Sequence, residues 1–466
     1  MSASREDIVI TGVSCCFAES ADAAAFWRNI LQRRALFTPL AQGGEAQARP
    51  NIFDRTFPSV SAQLNDLYAY DPDDQYFQRD VTSGENQDVF FMVQLVIDAL
   101  RDSGCTVGDL PTDRVSLRLG YVPQFNAASV SWLQHTLVLD QTLDIIQKFF
   151  PHADLEQLGE IRAQLSSSLP KPSPYAFMSA FNCSIAAWVA HLLDLAGPAT
   201  VLEAGSVSAY QAVQSAMDDL LSRRADIAVA GALQPPLNQP ILQGLSGAVV
   251  FSRGKALQPF SRDCDGTLPG EGGAVFVLKR LKDALRQGDR IYAIIRSTGI
   301  VATSLDRRQK VSLSPQRMER TFNRAMNAAG LAPGALSYIE AHGGGMPSID
   351  QTEADVLQKL FDGHKGPSVG IGAVKGNIGN TFWSSGAASL LKVALAIYHR
   401  VLPPNVEVEK PLAKLCSAKS PLYLLGEARP WMRGGKPTPR RAIALSLDFT
   451  GTSGAAVLEE YTGGDA

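Results

Sequence analysis

The sequence is thin in charge of either sign. Asp, Glu, Lys and Arg make up 19% of it, with a formal net charge of -3. That balance excludes a disordered polyelectrolyte and a broad polyanion-binding face, so nucleic acid is not an expected partner. Runs of about 18 uncharged apolar residues, the length a membrane helix needs, are missing too. The opening MSASREDIVITG enters a β-like segment where a signal peptide would place its apolar core. No membrane association and a cytoplasmic location are expected. Cysteine is sparse: Cys15, Cys16, Cys105, Cys183, Cys264 and Cys416 are scattered with no C-x-x-C pair, too few for a secreted scaffold and wrongly spaced for zinc. They read as reduced and mostly buried. What is present is apolar: 45% of 466 residues, enough to bury about 70–75% of the unfolded surface.

The apolar residues fall into alternating strand and helix patterns. DIVITGVSC (7–15) reads as a buried strand ending at a glycine turn, and DAAAFWRNILQRR follows at helical spacing. Residues 34–80 are rich in Pro, Asp, Gln and Ser without a period. QDVFFMVQLVIDALRDSG (87–104) is an amphipathic helix with a glycine stop, and DRVSLRLGYV (113–122) is the next strand. Residues 125–175 read as an insertion over the core with aromatic and apolar residues at helical spacing. NCSIAAWVAHLLDLAGP (182–198) is so uniformly apolar that burial on more than one side is expected. VLEAGSVSAY (201–210) turns sharply into a helix, and ADIAVAGA (225–232) is again a strand. Strand, helix, strand without hairpin signals argues for parallel βαβ units. GGAVFVLKRLKDALRQGDRIYAIIRSTGI, SPQRMERTFNRAMNAAG and LSYIEAHGGG repeat the alternation in the second half. VLEAGSVSAYQAVQSAM (201–217) and IGAVKGNIGNTFWSSGAASLLKVALAIY (371–398) share one plan, an apolar strand, a small-residue turn and an apolar helix, which raises an internal duplication.

Candidate chemistry gathers at turns: Gly205 and Ser206 at the first corner, His342 in EAHGGGMPSID, Lys375, Asn377 and Asn380 in VKGNIGN, and Phe449 in LDFTGTSG. Small residues there let backbone N–H groups face a ligand, although glycine turns are more often tight packing and a lone histidine more often structural. Ser206 between Ala204 and Ser208 lacks the glycines of a hydrolase elbow. Glu203 reads as a strand-end base or, more plainly, as a core-adjacent carboxylate paired to a lysine.

In their order these segments resemble the β-ketoacyl synthases of fatty acid and polyketide assembly. The resemblance runs from DIVITGVSC and FWRNIL through LQPFSRDCDGTLPGEGGAVFVLKRLKDAL and YIEAHGGGMPSIDQTEA to VKGNIGN, VLPPN and GTSGAAVLEE. It implies an α/β thiolase-like fold: two duplicated βαβ-rich halves, 1–255 and 256–466, in a layered α-β-α-β-α arrangement, with insertions near 34–80 and 125–175. It also implies a cysteine at the first corner to carry the acyl chain, and two histidines to promote decarboxylation and carbanion attack. Here the cysteine position is Gly205, and the second histidine position is Asn380, which cannot act as an acid or base near neutral pH. His342 matches the first histidine, and Lys375, Asn377 and Gly379 remain. Gly344 and Met346 replace threonines that line the phosphopantetheine channel. DFTG stands where two glycines flank a phenylalanine, leaving Phe449 in the gatekeeper-like position.

Cysteine-less members of this family are typically chain-length-factor-like subunits, which heterodimerise with an active ketosynthase and shape the cavity for the growing chain. The expectation is such a subunit, inactive as a condensing enzyme and served by acyl carrier protein. No tightly bound cofactor or metal is expected; the phosphopantetheine arm of the carrier would be the substrate carrier. His342 and Asn380 form the residual site, with Gly205, Ser206, Lys375, Asn377, Phe449, Gly344 and Met346 around it. Three alternatives stand beside this: a malonyl-carrier-protein decarboxylase using His342, Asn380 and the N–H groups of Gly205 and Phe449, which needs no covalent acylation; a non-elongating carrier-protein docking module; and a serine hydrolase using Ser206 and His342.

Overall fold

A computed structural model describes residues 6–40, 57–67, 87–122, 127–152, 154–169, 181–302, 314–417, 420–433 and 438–463. Much of the expected 34–80 insertion lies outside them. Within the 125–175 insertion the described parts are helical, including Leu139–Phe149 and Leu155–Ser168.

Eleven strands form one mixed sheet. In chain order they are Ile8–Phe17 (β1), Val115–Gly120 (β2), Ala199–Leu202 (β3), Ile227–Gln234 (β4), Gly272–Arg280 (β5), Ala293–Ala302 (β6), Tyr338–Glu340 (β7), Val369–Gly372 (β8), Leu422–Leu424 (β9), Arg441–Leu447 (β10) and Thr452–Glu459 (β11). The spatial order is β9-β8-β7-β10-β11-β6-β1-β5-β4-β2-β3. The outer strands on both sides pair in parallel, as the βαβ reading requires. The inner ones do not: β4 with β5, β5 with β1, β1 with β6, β6 with β11 and β11 with β10 are all antiparallel. Burial on both faces hid this from the sequence, because such strands show no alternation whichever way they run.

The six helices that matter here are Gln87–Asp102 (α1), Cys183–Leu192 (α2), Ser208–Leu221 (α3), Pro315–Ala329 (α4), Pro347–Leu360 (α5) and Ser385–His399 (α6). Their packing makes the layers. Ala228 and Ala230 of β4, Phe276 and Leu278 of β5, Ala442 and Ala444 of β10 and Ala456 of β11 all join one core with α3 and α6. The alternate residues face outward: Val229 and Val277 pack with α1 and α2, and Ile443, Leu445 and Val457 pack with α4 and α5. Two sheet halves therefore enclose a central pair of helices and carry a helical layer outside each. Alanine on the inward faces lets the central helices sit close, and α6 is buried from Ser385 through Ile397.

Two sequence expectations need correction. Gly12 does not end the first strand: β1 continues to Phe17, and its register against β5 slips between Ile10 and Gly12. Glycine is needed there for close approach, since a Cβ would lie 2.4 Å from the Ala99 carbonyl oxygen of α1. Second, α2 buries only one face, through Ser184, Ile185, Ala186 and Val189. Cys183, Ala187 and His191 are exposed along the other. The cysteines follow suit: Cys15 and Cys16 are buried, Cys105 and Cys264 intermediate, and Cys183 and Cys416 exposed. Among the described residues no helix is long and apolar enough to cross a membrane.

One ion pair ties the middle layer to the sheet. Lys392 Nζ of α6 lies 2.9 Å from Glu340 Oε2 of β7, both side chains fully buried. Glu340 also accepts from the Val374 N–H at 2.6 Å and from the Tyr338 hydroxyl. Lys392→Met strands the carboxylate and should cost about 3–5 kcal/mol in denaturant unfolding. Lys392→Met with Glu340→Gln should cost clearly less than Lys392→Met alone.

Candidate active site

The site is built where the two central helices begin. After β3 the chain enters a 3-10 turn, Gly205–Val207, and then α3. After β8 it passes a short helix, Lys375–Ile378, then a second 3-10 turn, Phe382–Ser384, and α6. Each 3-10 turn opens on a left-handed residue: Gly205 has φ +55° and Phe382 φ +36°. Glycine adopts that backbone freely, whereas for a bulky aromatic it is a strained outlier. The Phe382 N–H donates to Asn380 Oδ1 at 3.2 Å, so Asn380 helps hold that turn. The helix starts touch: a Cβ on Gly386 would sit 3.1 Å from the Ser206 carbonyl oxygen.

Between the corners lies the end of the β10–β11 hairpin, and its first loop residue decides what the site can do. Asp448 Oδ2 accepts from the Thr450 N–H at 2.7 Å and the Thr450 hydroxyl at 2.5 Å, the local turn chemistry that aspartate favours. Asp448 Oδ1 accepts from the Ser206 N–H at 2.8 Å. A Cβ on Gly205 would lie 2.1 Å from Oδ1 and 2.3 Å from Cγ. The aspartate thus fills the space where a side chain at 205 would stand, and it occupies the corner's backbone donor.

His342 follows β7. Its Nδ1 accepts from the Leu447 N–H at 3.2 Å and lies 3.3 Å from Lys375 Nζ, which also donates to the His342 carbonyl oxygen at 2.8 Å. Two donors on Nδ1 place the ring proton on Nε2. Burial, then the Lys375 and Arg317 charges, hold the imidazole pKa well below its ordinary value. His342 is therefore a neutral Nε2–H donor. Burial also brings Lys375 down to about 8 against the pull of Glu353 and other acids, and lifts Glu353 to about 7 and Asp350 to about 6. Both acids are committed to the loop around His342. Glu353 accepts from the N–H groups of His342 and Gly343 at 2.8 and 3.0 Å. Asp350 accepts from Phe260 at 2.8 Å and Gly345 at 3.1 Å.

A Cβ on Gly344 would stand 3.1 Å from His342 Nε2 and 3.3 Å from the Met346 methyl. Met346 and Phe449 line a cavity of about 390 Å³ with Val249, Val250, Asp265 and Ile349, of a size that takes small ligands. Gly205, His342 and Asn380 do not line it.

Known proteins share this sequence and fold. Residues 5–284 match the N-terminal domain of β-ketoacyl synthases and residues 292–409 the C-terminal domain. The chain belongs to the β-ketoacyl synthase family. It is 32% identical over 289 residues to a mycocerosic acid synthase-like polyketide synthase of Mycobacterium tuberculosis, covering 62% of this chain and 14% of that protein. Across 98% of its length it is 28% identical to the polyketide synthase ThaQ of Burkholderia thailandensis, of which it spans 20%. The fold matches a ketosynthase from module 6 of the bacillaene synthase of Bacillus subtilis, with TM-score 0.80, 23% identity, and coverage of 98% of this chain and 72% of that one. It also matches the oxazolomycin ketosynthase domain OzmH KS7 of Streptomyces albus, with TM-score 0.80, 24% identity, and coverage of 98% and 74%. The ketosynthase thiolase fold expected from the sequence is thereby established.

Within this ketosynthase frame the sequence-derived residues divide. Gly205, Ser206 and His342 converge on the Ser446–Asp448 segment, where the Ser446 hydroxyl also donates to the Ser206 carbonyl oxygen at 2.9 Å, and Lys375 joins them through His342. Met346 and Phe449 face the neighbouring cavity. Asn377 anchors another segment, donating to the Arg34 carbonyl oxygen at 2.9 Å and accepting from Leu36 at 2.8 Å. Glu203 is no core acid: it is exposed and takes its hydrogen bond, at 2.7 Å, from Asn182 in place of a lysine. Among the described residues no hydrogen bond joins Ser206 to His342, so the serine hydrolase reading lacks its nucleophile–base contact. Sequence reasoning missed Asp448, Glu353 and Arg317. The changed loop LDFTG carried the only available signal for Asp448.

The acid limb of stability tests the state of His342. The unfolded imidazole protonates near its ordinary pKa of about 6.5 and the folded one well below it. The His342 contribution is therefore complete above that pH and lost as pH falls beneath it, by up to about 1.4 kcal/mol per pH unit. Glu353 and Asp350 run the other way, favouring the folded state at low pH and losing that contribution as pH rises through about 7 and 6. Chemical unfolding of His342→Gln between pH 7 and 5 should show the variant gaining on the parent as pH drops.

Proposed function

We propose that this chain is a non-condensing, chain-length-factor-like ketosynthase homologue. It pairs with an active ketosynthase and shapes the cavity for an acyl chain delivered on the phosphopantetheine arm of an acyl carrier protein. The observation that carries the reading is the corner itself: no thiol at Gly205, and the Asp448 carboxylate filling its place. The scaffold that forms the corner is intact, so what has been lost is acyl transfer and not the fold.

Pairing is supported by the surface beside the corner. Strand β3 ends the sheet, with one edge unpaired among the described strands and Thr200 exposed. Next to it run Cys183, Ala187 and His191 of α2, with Phe181 44% exposed. A helix with one face unburied beside an open strand edge is a surface that a second chain covers.

A decarboxylase is the second reading, favoured by the His342 Nε2–H, a donor that can hold an enolate oxygen. Asp448 weighs against it, because a carboxylate on the Ser206 N–H takes up a corner donor and repels both a malonyl carboxylate and an enolate.

Co-expression with an intact ketosynthase from the same source should yield a stable one-to-one complex on gel filtration. A homodimer that ignores such a partner would sink the pairing. Malonyl-carrier protein should remain unconverted by mass spectrometry; acetyl-carrier protein in catalytic amounts would establish the second reading. Gly205→Cys should condense at least about 100-fold more slowly than an active ketosynthase, because Asn380 cannot supply acid–base catalysis. Efficient elongation by that variant would overturn the proposal.

A further inference from the structure

At the end of α6 away from the corner the sheet parts, leaving an open cleft of about 410 Å³. Strand β6 pairs with β1 only from Ile8 to Ile10, and from Gly12 onward β1 keeps β5 as its strand partner. The N–H groups of Val13 and Phe17 point away from β5: Val13 donates to Asp102 Oδ2 at 2.8 Å and Phe17 to the Ser20 carbonyl oxygen at 2.9 Å. Alternation puts Cys15 on that same side, and in an antiparallel strand a residue's carbonyl points the way its N–H does. Val13 and Cys15 line the cleft, so their carbonyl oxygens stand at its floor as acceptors that no neighbouring strand takes up.

The walls supply negative charge and aromatic faces. Helices α1 and α6 both end here, and the C-terminal end of a helix is its negative one. Asp102 is occupied by Arg290 at 2.9 Å and by the Tyr292 hydroxyl at 2.8 Å, and Asp98 meets the exposed Arg101 guanidinium at 3.0 Å. Asp22 differs from both. Its Oδ1 accepts from the Ala25 N–H at 2.7 Å, capping the helix Ala23–Leu31, and no cation among the described residues pairs with it. The Tyr398 ring lies between those of Tyr292 and His399, with centroids 4.7 and 5.2 Å away. Burial lowers the His399 pKa, so this ring adds no positive charge near neutral pH.

We propose that this cleft binds a primary ammonium compound with a small aromatic body. The ammonium donates to the Val13 and Cys15 carbonyl oxygens and faces the Asp22 carboxylate, and the aromatic body lies against Tyr398. Such a group carries three donors and no acceptor, which matches a floor of carbonyl oxygens beside a carboxylate, and tyrosine faces attract cations. The site is separate from the ketosynthase corner, so the inference does not rest on the function proposed above.

The test titrates the chain by calorimetry at pH 7 with 2-phenylethylamine, 2-phenylethanol and 3-phenylpropionate, which carry a cation, a neutral hydroxyl and an anion on similar bodies. The amine should bind saturably with a Kd of about 1 mM or tighter. It should bind at least about 10-fold more tightly than the alcohol, and the carboxylate more weakly than either. Asp22→Asn removes the charge and keeps the helix cap, since asparagine caps as well as aspartate. That variant should weaken the amine at least about 3-fold and leave the alcohol unchanged. Tyr398→Leu should weaken the amine about 2- to 5-fold. Absence of amine binding, equal binding of amine and alcohol, or parent-like amine binding by Asp22→Asn overturns the proposal. The comparison of the three compounds on the parent chain depends on no variant folding.

Discussion

The closeness of α3 and α6 inside the sheet governs the geometry of the whole chain. Both helices are enclosed on nearly all sides, and the sheet faces that meet them are lined largely by alanine. Small side chains allow backbones to approach where larger ones would hold them apart. Because the helices are locked together, their first residues are too, and two corners far apart in sequence become one site. The fully buried Glu340–Lys392 pair fixes α6 against the sheet from the side where β7 leads to His342.

On that frame the two sides of the site are built differently. The histidine loop is kept in detail: Glu353 and Asp350 hold its backbone, Lys375 caps its carbonyl, and the ring presents one donor. The opposite corner presents a glycine and receives a carboxylate from the hairpin. Asp448 accepts three hydrogen bonds, from the Ser206 N–H and from the N–H and hydroxyl of Thr450, which seat its carboxylate at the corner. The two sides of the site thus differ in chemistry: a ring that presents a donor at His342, and a carboxylate seated at the corner by Asp448.

Much of this could be read from the chain alone. Apolar strands, glycine stops and ordered motifs give the fold, and His342, Lys375 and Gly205 emerge as neighbours through their turns. Asp448 could not be read the same way. Its contact with Ser206 spans 242 positions and exists only once a hairpin end meets a strand-to-helix corner. Arg317 sits on a helix whose pattern is satisfied without it, so nothing in the periodicity marks it. The antiparallel centre of the sheet was hidden because its strands are apolar on both faces. The one-sided burial of α2 was hidden because the same composition serves a core helix and a helix with one face exposed.

The short edge strand β3 has a consequence for selectivity. Any strand that paired with this edge would meet four residues of backbone, Ala199–Leu202, and backbone hydrogen bonds are nearly blind to the identity of the strand that supplies them. A twin of this chain and a divergent relative would score alike on that count. Discrimination then falls to the few exposed side chains nearby, Thr200 on the strand and Cys183, Ala187 and His191 on the helix. A preference between self and non-self is a difference of affinities, so very few substitutions at this seam would suffice to change which strand the edge accepts.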